Sequence, residues 1–494
     1  MRLPLLLPAP PRRLLAKAWC LAPLLAAGLL GGCHGNHAAP LQAVVLAGPA
    51  QADLAPWLRP ATNEGLVAFN EEGKVVPALA ERWLVTDNGL TYVFRLKMGN
   101  WGDGTPITPD SVRAALHQAS EAAQTTDLGP DLEAIDEVRS MAARVIEIRL
   151  NWPVPDFLQV LAQPELALSR RGKGAGPMLG RWREGRTMLS PMAEDAGADE
   201  DSVLGRALVL RPAAGDAALA DFAAGRADVV LGGTFATPPT AARTALGNAG
   251  LGRGAPRFDP AVGLFGLLVA RPEGFLATPA MREALAMAID RDSLAASLID
   301  PGFQPTTRVV AGGLPGDAGL VGERWGDIDL EGRRTLAMRR ISAWVQTAHA
   351  QPVLTLALPA GAGGRVLFDR LAMDMNEIGV KLQRVEAGQR PDLVLIDKVA
   401  RYARASWFLH ALSCRQYAAS CSSAADVLTR QAEQSDPQAA PAVFAEAERK
   451  LTETNFYIPL GRPIRWSLVS GEVAGFAVNP LARHPLLPLS GHLH

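Results

Sequence analysis

Eight histidines, four cysteines and 50 acidic residues supply the groups that could hold a metal or attack a bond, and their spacing assigns them neither task. There is no Gly-x-Ser-x-Gly elbow, no His-Glu-x-x-His helix and no paired Cys-x2-Cys. His34 and His37 fall near the N-terminus, His484, His492 and His494 near the C-terminus, and His117 stands alone on a helical stretch. His410, close to Trp407, fits a pocket position or an ordinary core or surface one. Asp103 sits in Trp101-Gly-Asp-Gly104, where an aspartate beside glycine stabilises a turn. The glycines of 172–177 lack the Gly-Lys-Ser/Thr ending of a phosphate loop and read as a turn. No catalytic residue, metal ligand or cofactor site is expected, and the chain is not read as an enzyme. A binding protein needs a cleft, polar groups that orient the ligand and a hinge that closes over it.

The elements that would position such a cleft follow in chain order. Leu41 to Ala47 is a first strand. Leu84 to Leu96 reads as a hairpin folded at Asp87-Asn88-Gly89, with Asn88 and Gly89 at the two positive-φ positions of a type I′ turn. Thr108 caps a helix with Pro109 at its first position, and Val112, Ala115, Leu116 and Ala119 share one face. Strand, helix and strand follow at 207–211, 216–224 and 228–231, the order of an α/β lobe. Thr278 is a cap for a helix whose apolar face is Met281, Leu285, Ala288 and Ile289. A second α/β series runs from Val353 through a helix at 365–378 to strands at 380–385 and 393–396, then a helix at 444–452 and a strand at 457–460.

The 494 residues favour two or more lobes over one core. The formal net charge is −1, and near −5 without residues 1–32, which carry Arg2, Arg12, Arg13, Lys17 and no acid. That excludes the basic field a nucleic-acid binder needs. Residues 1–32 have a positive stretch (Arg12, Arg13, Lys17) and an apolar run, Ala18 to Leu30, of secretory rather than membrane-spanning length. Leu30-Gly-Gly-Cys33 resembles a bacterial lipobox. Cleavage there would leave Cys33 acylated and residues 33–40 as a tether to a membrane surface; a plain signal peptide with an incidental cysteine is the alternative. Arg12-Arg13 also faintly resembles a twin-arginine signal. In an oxidising compartment Cys414 and Cys421 are then the pair left over, bridged or as two buried thiols.

Several stretches resemble one family in combination. They are Asn63-Glu-Gly-Leu-Val67, Gly73-Lys-Val-Val-Pro-Ala-Leu-Ala-Glu-Arg-Trp83, Thr108-Pro-Asp-Ser-Val112, Gly174-Ala-Gly-Pro177, Gly225-Arg-Ala-Asp228, the helix from Pro279 to Arg291, and the closing Asn479-Pro480 and His484-Pro485. Their order is similar to that of the extracytoplasmic solute-binding proteins, family 5, which capture peptides, nickel chelates and related solutes for ABC importers. The resemblance covers about 40–490. It implies an α/β, two-lobed periplasmic-binding-protein fold of the large class with an extra subdomain and a ligand cleft between lobes. Residues 41–265 would form lobe I with the inserted subdomain, 266–470 lobe II, and 471–494 the return to lobe I. A monomeric, lipid-anchored protein of the periplasm or cell envelope is expected, with ABC permease subunits as partners and no nucleic acid.

The resemblance also directs attention to Ala400–Leu409. In peptide-binding relatives a segment resembling "Asp-Tyr-x-x-Pro…Phe-Leu" gives its aspartate to the ligand's α-ammonium. Here that position is Arg401, and the proline position is Ala405. A guanidinium repels an amine but suits a carboxylate or phosphate, so an anionic or acyl-capped solute is expected in place of a free-amine peptide. Arg401 and Arg404 fit ligand contact or pairing with the protein's own acids; Tyr402 and Trp407 fit ligand stacking or core packing. With Asn63 and Glu64 at the edge of the first lobe, these are the expected ligand residues. A second departure is Val269-Ala-Arg271, where relatives usually carry an asparagine. Both departures permit a sensor or scaffold that has lost transport; an extracytoplasmic hydrolase is the remaining alternative.

Overall fold

The structure, a computed structural model, describes residues 39–192, 205–238, 252–298, 303–322, 325–386 and 389–491; the leader and Cys33 lie outside the described residues. Seven strands form a first sheet in the order Met178–Arg183, Arg186–Pro191, Leu208–Ala213, Leu41–Leu46, Val229–Thr234, Arg465–Ser470, Gly254–Phe258. Its centre is parallel, with Leu41–Leu46 between Leu208–Ala213 and Val229–Thr234. Parallel neighbours need a crossover, and helix Gly215–Ala223 supplies it, burying Ala218, Leu219 and Phe222.

Five strands form a second sheet in the order Lys381–Val385, Val353–Ala357, Leu393–Val399, Gly263–Val269, Tyr457–Gly461. Gly263–Val269 is buried at every residue, as an unbroken apolar strand covered on both faces should be. Gly266 must lack a side chain, because a Cβ there would lie 2.7 Å from the Tyr457 hydroxyl and 2.5 Å from the Ile458 carbonyl. On sheet membership the two crossings fall at 259–262 and 462–464. Gly263–Val269 belongs wholly to the second sheet and Arg465–Ser470 to the first, so the expected boundaries at 265 and 470 each move earlier by a few residues.

A smaller four-stranded sheet, Ala80–Thr86, Thr91–Leu96, Val145–Leu150 and Ile135–Met141, packs with helix Pro109–Ala123. The Thr108 hydroxyl accepts from Ser111 N at 3.2 Å and Ser111 Oγ accepts from Thr108 N at 3.0 Å, a reciprocal cap. The hairpin differs from a two-residue type I′ turn. Asp87, Asn88 and Gly89 all have positive φ, and the first ladder pair is Thr86 with Thr91. Asp87 accepts from the Thr91 hydroxyl at 2.6 Å, which draws a third residue into the left-handed run. Asp103 Oδ1 accepts from Thr105 N at 3.0 Å within its turn.

From Met281 on, helix Pro279–Ala288 is buried all round, not on one face. Thr278 starts it without a side-chain cap bond. Arg282 satisfies its charge on the carbonyls of Leu276 and Thr454, both at 2.8 Å, and lies over the Phe456 ring at 4.0 Å. Arg291 donates to Pro459 O at 2.9 Å. The arginines of this stretch thus tie it to the second sheet's edge.

Cys414 and Cys421 are joined at 2.04 Å beside helix Ser423–Glu433. Replacing both by serine is expected to cost about 2 kcal/mol of stability, read as a lower urea midpoint that reductant reproduces in the unaltered protein.

Candidate ligand-binding site

Residues 400–404 link strand Leu393–Val399 to helix Ala405–Ala411. They sit at the carboxyl end of a strand of an open α/β sheet, where such sheets place ligands. Opposite them stand Asp127, Asp131, Asp156, Gln163 and Glu165, all from the stretch associated with the small sheet.

Every polar side chain of 401–404 reaches across this seam. Arg401 Nε donates to Asp127 Oδ1 at 3.1 Å and Nη1 to Glu165 Oε1 at 2.7 Å. Burial alone would lower the Arg401 pKa; the carboxylates of Asp127 and Glu165 outweigh it and hold the charge firmly. Burial likewise raises the Glu165 carboxyl, and Arg401 and Arg483 overcome that to bring it below its usual range. Tyr402 Oη donates to Asp131 Oδ1 at 2.7 Å, and Arg404 pairs with Asp156. Arg415 pairs with Glu133 farther along the seam.

Gln163, 1% exposed, is the hinge of the hydrogen bonding. Its amide nitrogen donates to Arg401 O at 2.8 Å and Gln159 O at 3.0 Å, and its oxygen accepts from Arg483 Nη2 at 2.7 Å. One side chain therefore joins the small-sheet stretch, residue 401 and the C-terminal segment.

Two cavities flank this network. One, about 200 Å³, lies within the seam and is lined by Asp131, Trp152, Asp156, Tyr402, Arg404 and Glu433 among others. Behind it His410, 5% exposed, has Nε2 at 2.7 Å from Glu433 and Nδ1 at 3.8 Å from Asp131. Burial pushes the Asp131 carboxyl up to about 7, against the pull of His410 and Tyr402. Burial lowers the His410 pKa, but Glu433 and Asp131 reverse that and raise it to about 9. Asp131 Oδ2 has no hydrogen-bond partner among the described residues. The other cavity, about 180 Å³, is lined by Trp57, Asn63, Glu64, Phe69, Gln163 and Arg483 among others, with no described residue between 178 and 481.

The six expected ligand residues therefore divide. Asn63 and Glu64 line the second cavity, held there by close packing: a Cβ on Gly176 would come 2.2 Å from Thr62 C, and one on Gly174 2.4 Å from Asn63 Oδ1. Glu64 is paired with Lys97 at 2.6 Å. Tyr402 and Arg404 line the seam cavity, but both are bonded to the protein's own acids. Arg401 lines neither, and its two partners are also internal. Trp407 is fully buried, packed edge-on against Phe408 with centroids 5.1 Å apart, so of its two readings the structure takes core packing. Gln163, Arg483, Asp131 and Glu433 were not singled out by sequence. They carry no local motif, and only their convergence from distant segments marks them. No group of three or more potential metal ligands occurs among the described residues.

The whole chain can be set beside known proteins. It resembles the Escherichia coli murein tripeptide binding protein MppA with a TM-score of 0.79 at 18% identity, covering 91% of this chain and 97% of that one. It is 33% identical over 122 residues to the probable deoxycholate-binding periplasmic protein YgiS of Escherichia coli K12, 21% of this chain and 23% of that protein. It is 30% identical over 106 residues to the glutathione-binding protein GsiB of the same strain, 21% of each. These two matches span under a quarter of either relative's length. The sequence profile of the bacterial extracellular solute-binding proteins, family 5 Middle, matches residues 74–383, and with two α/β sheets linked by two crossings, the chain belongs to that family of extracellular solute-binding proteins.

Proposed function

We propose that the protein is the lipid-anchored, solute-capturing component of an ABC importer, holding a small anionic or acyl-capped, peptide-like solute between its lobes and delivering it to permease subunits. The observation that carries this reading is Arg401 with Asp127 and Glu165. Where peptide-binding relatives offer a carboxylate to an α-ammonium, this chain has a cation already neutralised by two acids of its own. Position 401 offers an amine no anchor. The relative named for deoxycholate is named for a carboxylate that has no amine, which supports an anionic solute; glutathione, in the other relative's name, carries carboxylates together with an α-ammonium. Among the described residues no helix is long and apolar enough to cross a membrane; acylation of Cys33 would hold the protein at the envelope surface, in the periplasm.

Native mass spectrometry of protein isolated from its own envelope tests this. A co-purified solute bearing carboxylate, released on unfolding, is the expected result, together with a mass increment at Cys33 for acyl chains. Protein that carries no solute and shows no thermal shift with any member of a peptide and organic-acid panel would remove the transport reading. One observation favours a second reading: the ion pairs of Arg401 and Arg404 close the seam with the protein's own groups, as a sensor or scaffold that no longer needs a solute would.

A further inference from the structure

The cavity of about 180 Å³ beside Trp57 is lined by no described residue between 178 and 481, so none of 401–404 faces it; Gln163 lines it and also donates to Arg401 O. It is well above the roughly 10–15 Å³ that one water occupies on this measure. Trp57, Phe69 and Leu487 supply apolar wall, and the polar lining is Asn63, Glu64 (paired with Lys97 at 2.6 Å), Gln163, Arg483 and His484. There Arg483 has no carboxylate within 4 Å among the described residues; its guanidinium donates to the neutral Gln163 amide and lies over the Phe69 ring at 6.0 Å. Burial and the neighbouring Arg401 bring its pKa down to about 10, against the pull of Glu165 and Asp127. His484 stands next to it with its side chain 6% exposed. Its Nε2 is fixed on Asp259 Oδ2 at 3.1 Å and its buried Nδ1 has no partner among the described residues. A half-buried guanidinium with no carboxylate in direct contact and a buried ring nitrogen without a partner among the described residues meet at this cavity.

We propose that this cavity binds the carboxylate group of a small apolar acid, with Arg483 as the counter-charge, His484 as a second polar contact and Trp57 and Phe69 against the apolar body. A planar carboxylate matches the fork of the guanidinium. The proposal does not rest on which solute the seam takes.

The test uses the full chain, with hexanoate and hexanamide as probes in calorimetric titration. Hexanoate is expected to bind about tenfold more tightly than the amide. Arg483→Gln should abolish that preference and Arg483→Lys should keep part of it. The acid–amide comparison on the unaltered protein stands even where a variant folds poorly. 6-Bromohexanoate, a heavy-atom quencher, places the site: it should quench tryptophan fluorescence, and Trp57→Phe should remove most of that quenching. Equal binding of acid and amide, a preference that survives in folded Arg483→Gln, or quenching unchanged by Trp57→Phe would overturn the proposal.

Discussion

Arg401→Asp is expected to lower stability by about 3–5 kcal/mol, the scale for breaking a buried ion pair and leaving its partners uncompensated. The substitution restores the residue type that peptide-binding relatives use at this position, yet in this chain it adds a third carboxylate beside Asp127 and Glu165. The Arg401 side chain is 19% exposed and Asp127 8%, so solvent cannot screen the repulsion as it does at a surface pair, where about 0–1 kcal/mol would be lost. Urea denaturation should show the loss as a lower midpoint. Adding Glu165→Arg to Arg401→Asp should recover a large part of it, because the pair is re-formed with its ends exchanged. A loss below about 1 kcal/mol with no recovery in the double variant would mean that the seam is not held this way.

Stability should also fall as pH rises through neutrality. Asp131 has an ordinary pKa of 3.8 and about 7 in the folded protein, burial being the main cause. Between those values the folded state binds more protons than the unfolded chain, so stability decreases with rising pH and levels off above about 7. His410 is raised from 6.5 to about 9 by Glu433 and Asp131, against burial. Its contribution is complete below 6.5 and is lost as pH rises through about 9. Together the two should give a decline on the order of a few kcal/mol from pH 5 to 9. Asp131→Asn keeps a partner for the Tyr402 hydroxyl and should flatten the first part of the decline, leaving the second. Unfolding midpoints measured across that range, with and without the substitution, give the comparison. A profile that climbs between pH 5 and 7 would contradict the burial of Asp131 as an acid.

Much of the scaffold was legible because its signals are local. The Thr108-Pro109 helix start and the strand–helix–strand order need only neighbouring residues, and the structure places them where their spacing points. The hairpin loop at Asp87 was read two residues short: Thr86 and Thr91 close it, and the Thr91 hydroxyl, across the turn, donates to the Asp87 carboxylate. The site was legible only in part. That position 401 departs from its relatives is plain in the sequence; what neutralises Arg401 is not, since Asp127 and Glu165 lie 274 and 236 residues away. Gln163 and Arg483 meet across 320 residues. Such contacts are products of the two crossings between the sheets, and no periodicity records them.

The claim that position 401 has turned the site away from free amines is tested most directly by calorimetric titration with two forms of one tripeptide, one with a free N-terminus and one N-acetylated. The account predicts tighter binding of the acetylated form. Tighter binding of the free-amine form would contradict it.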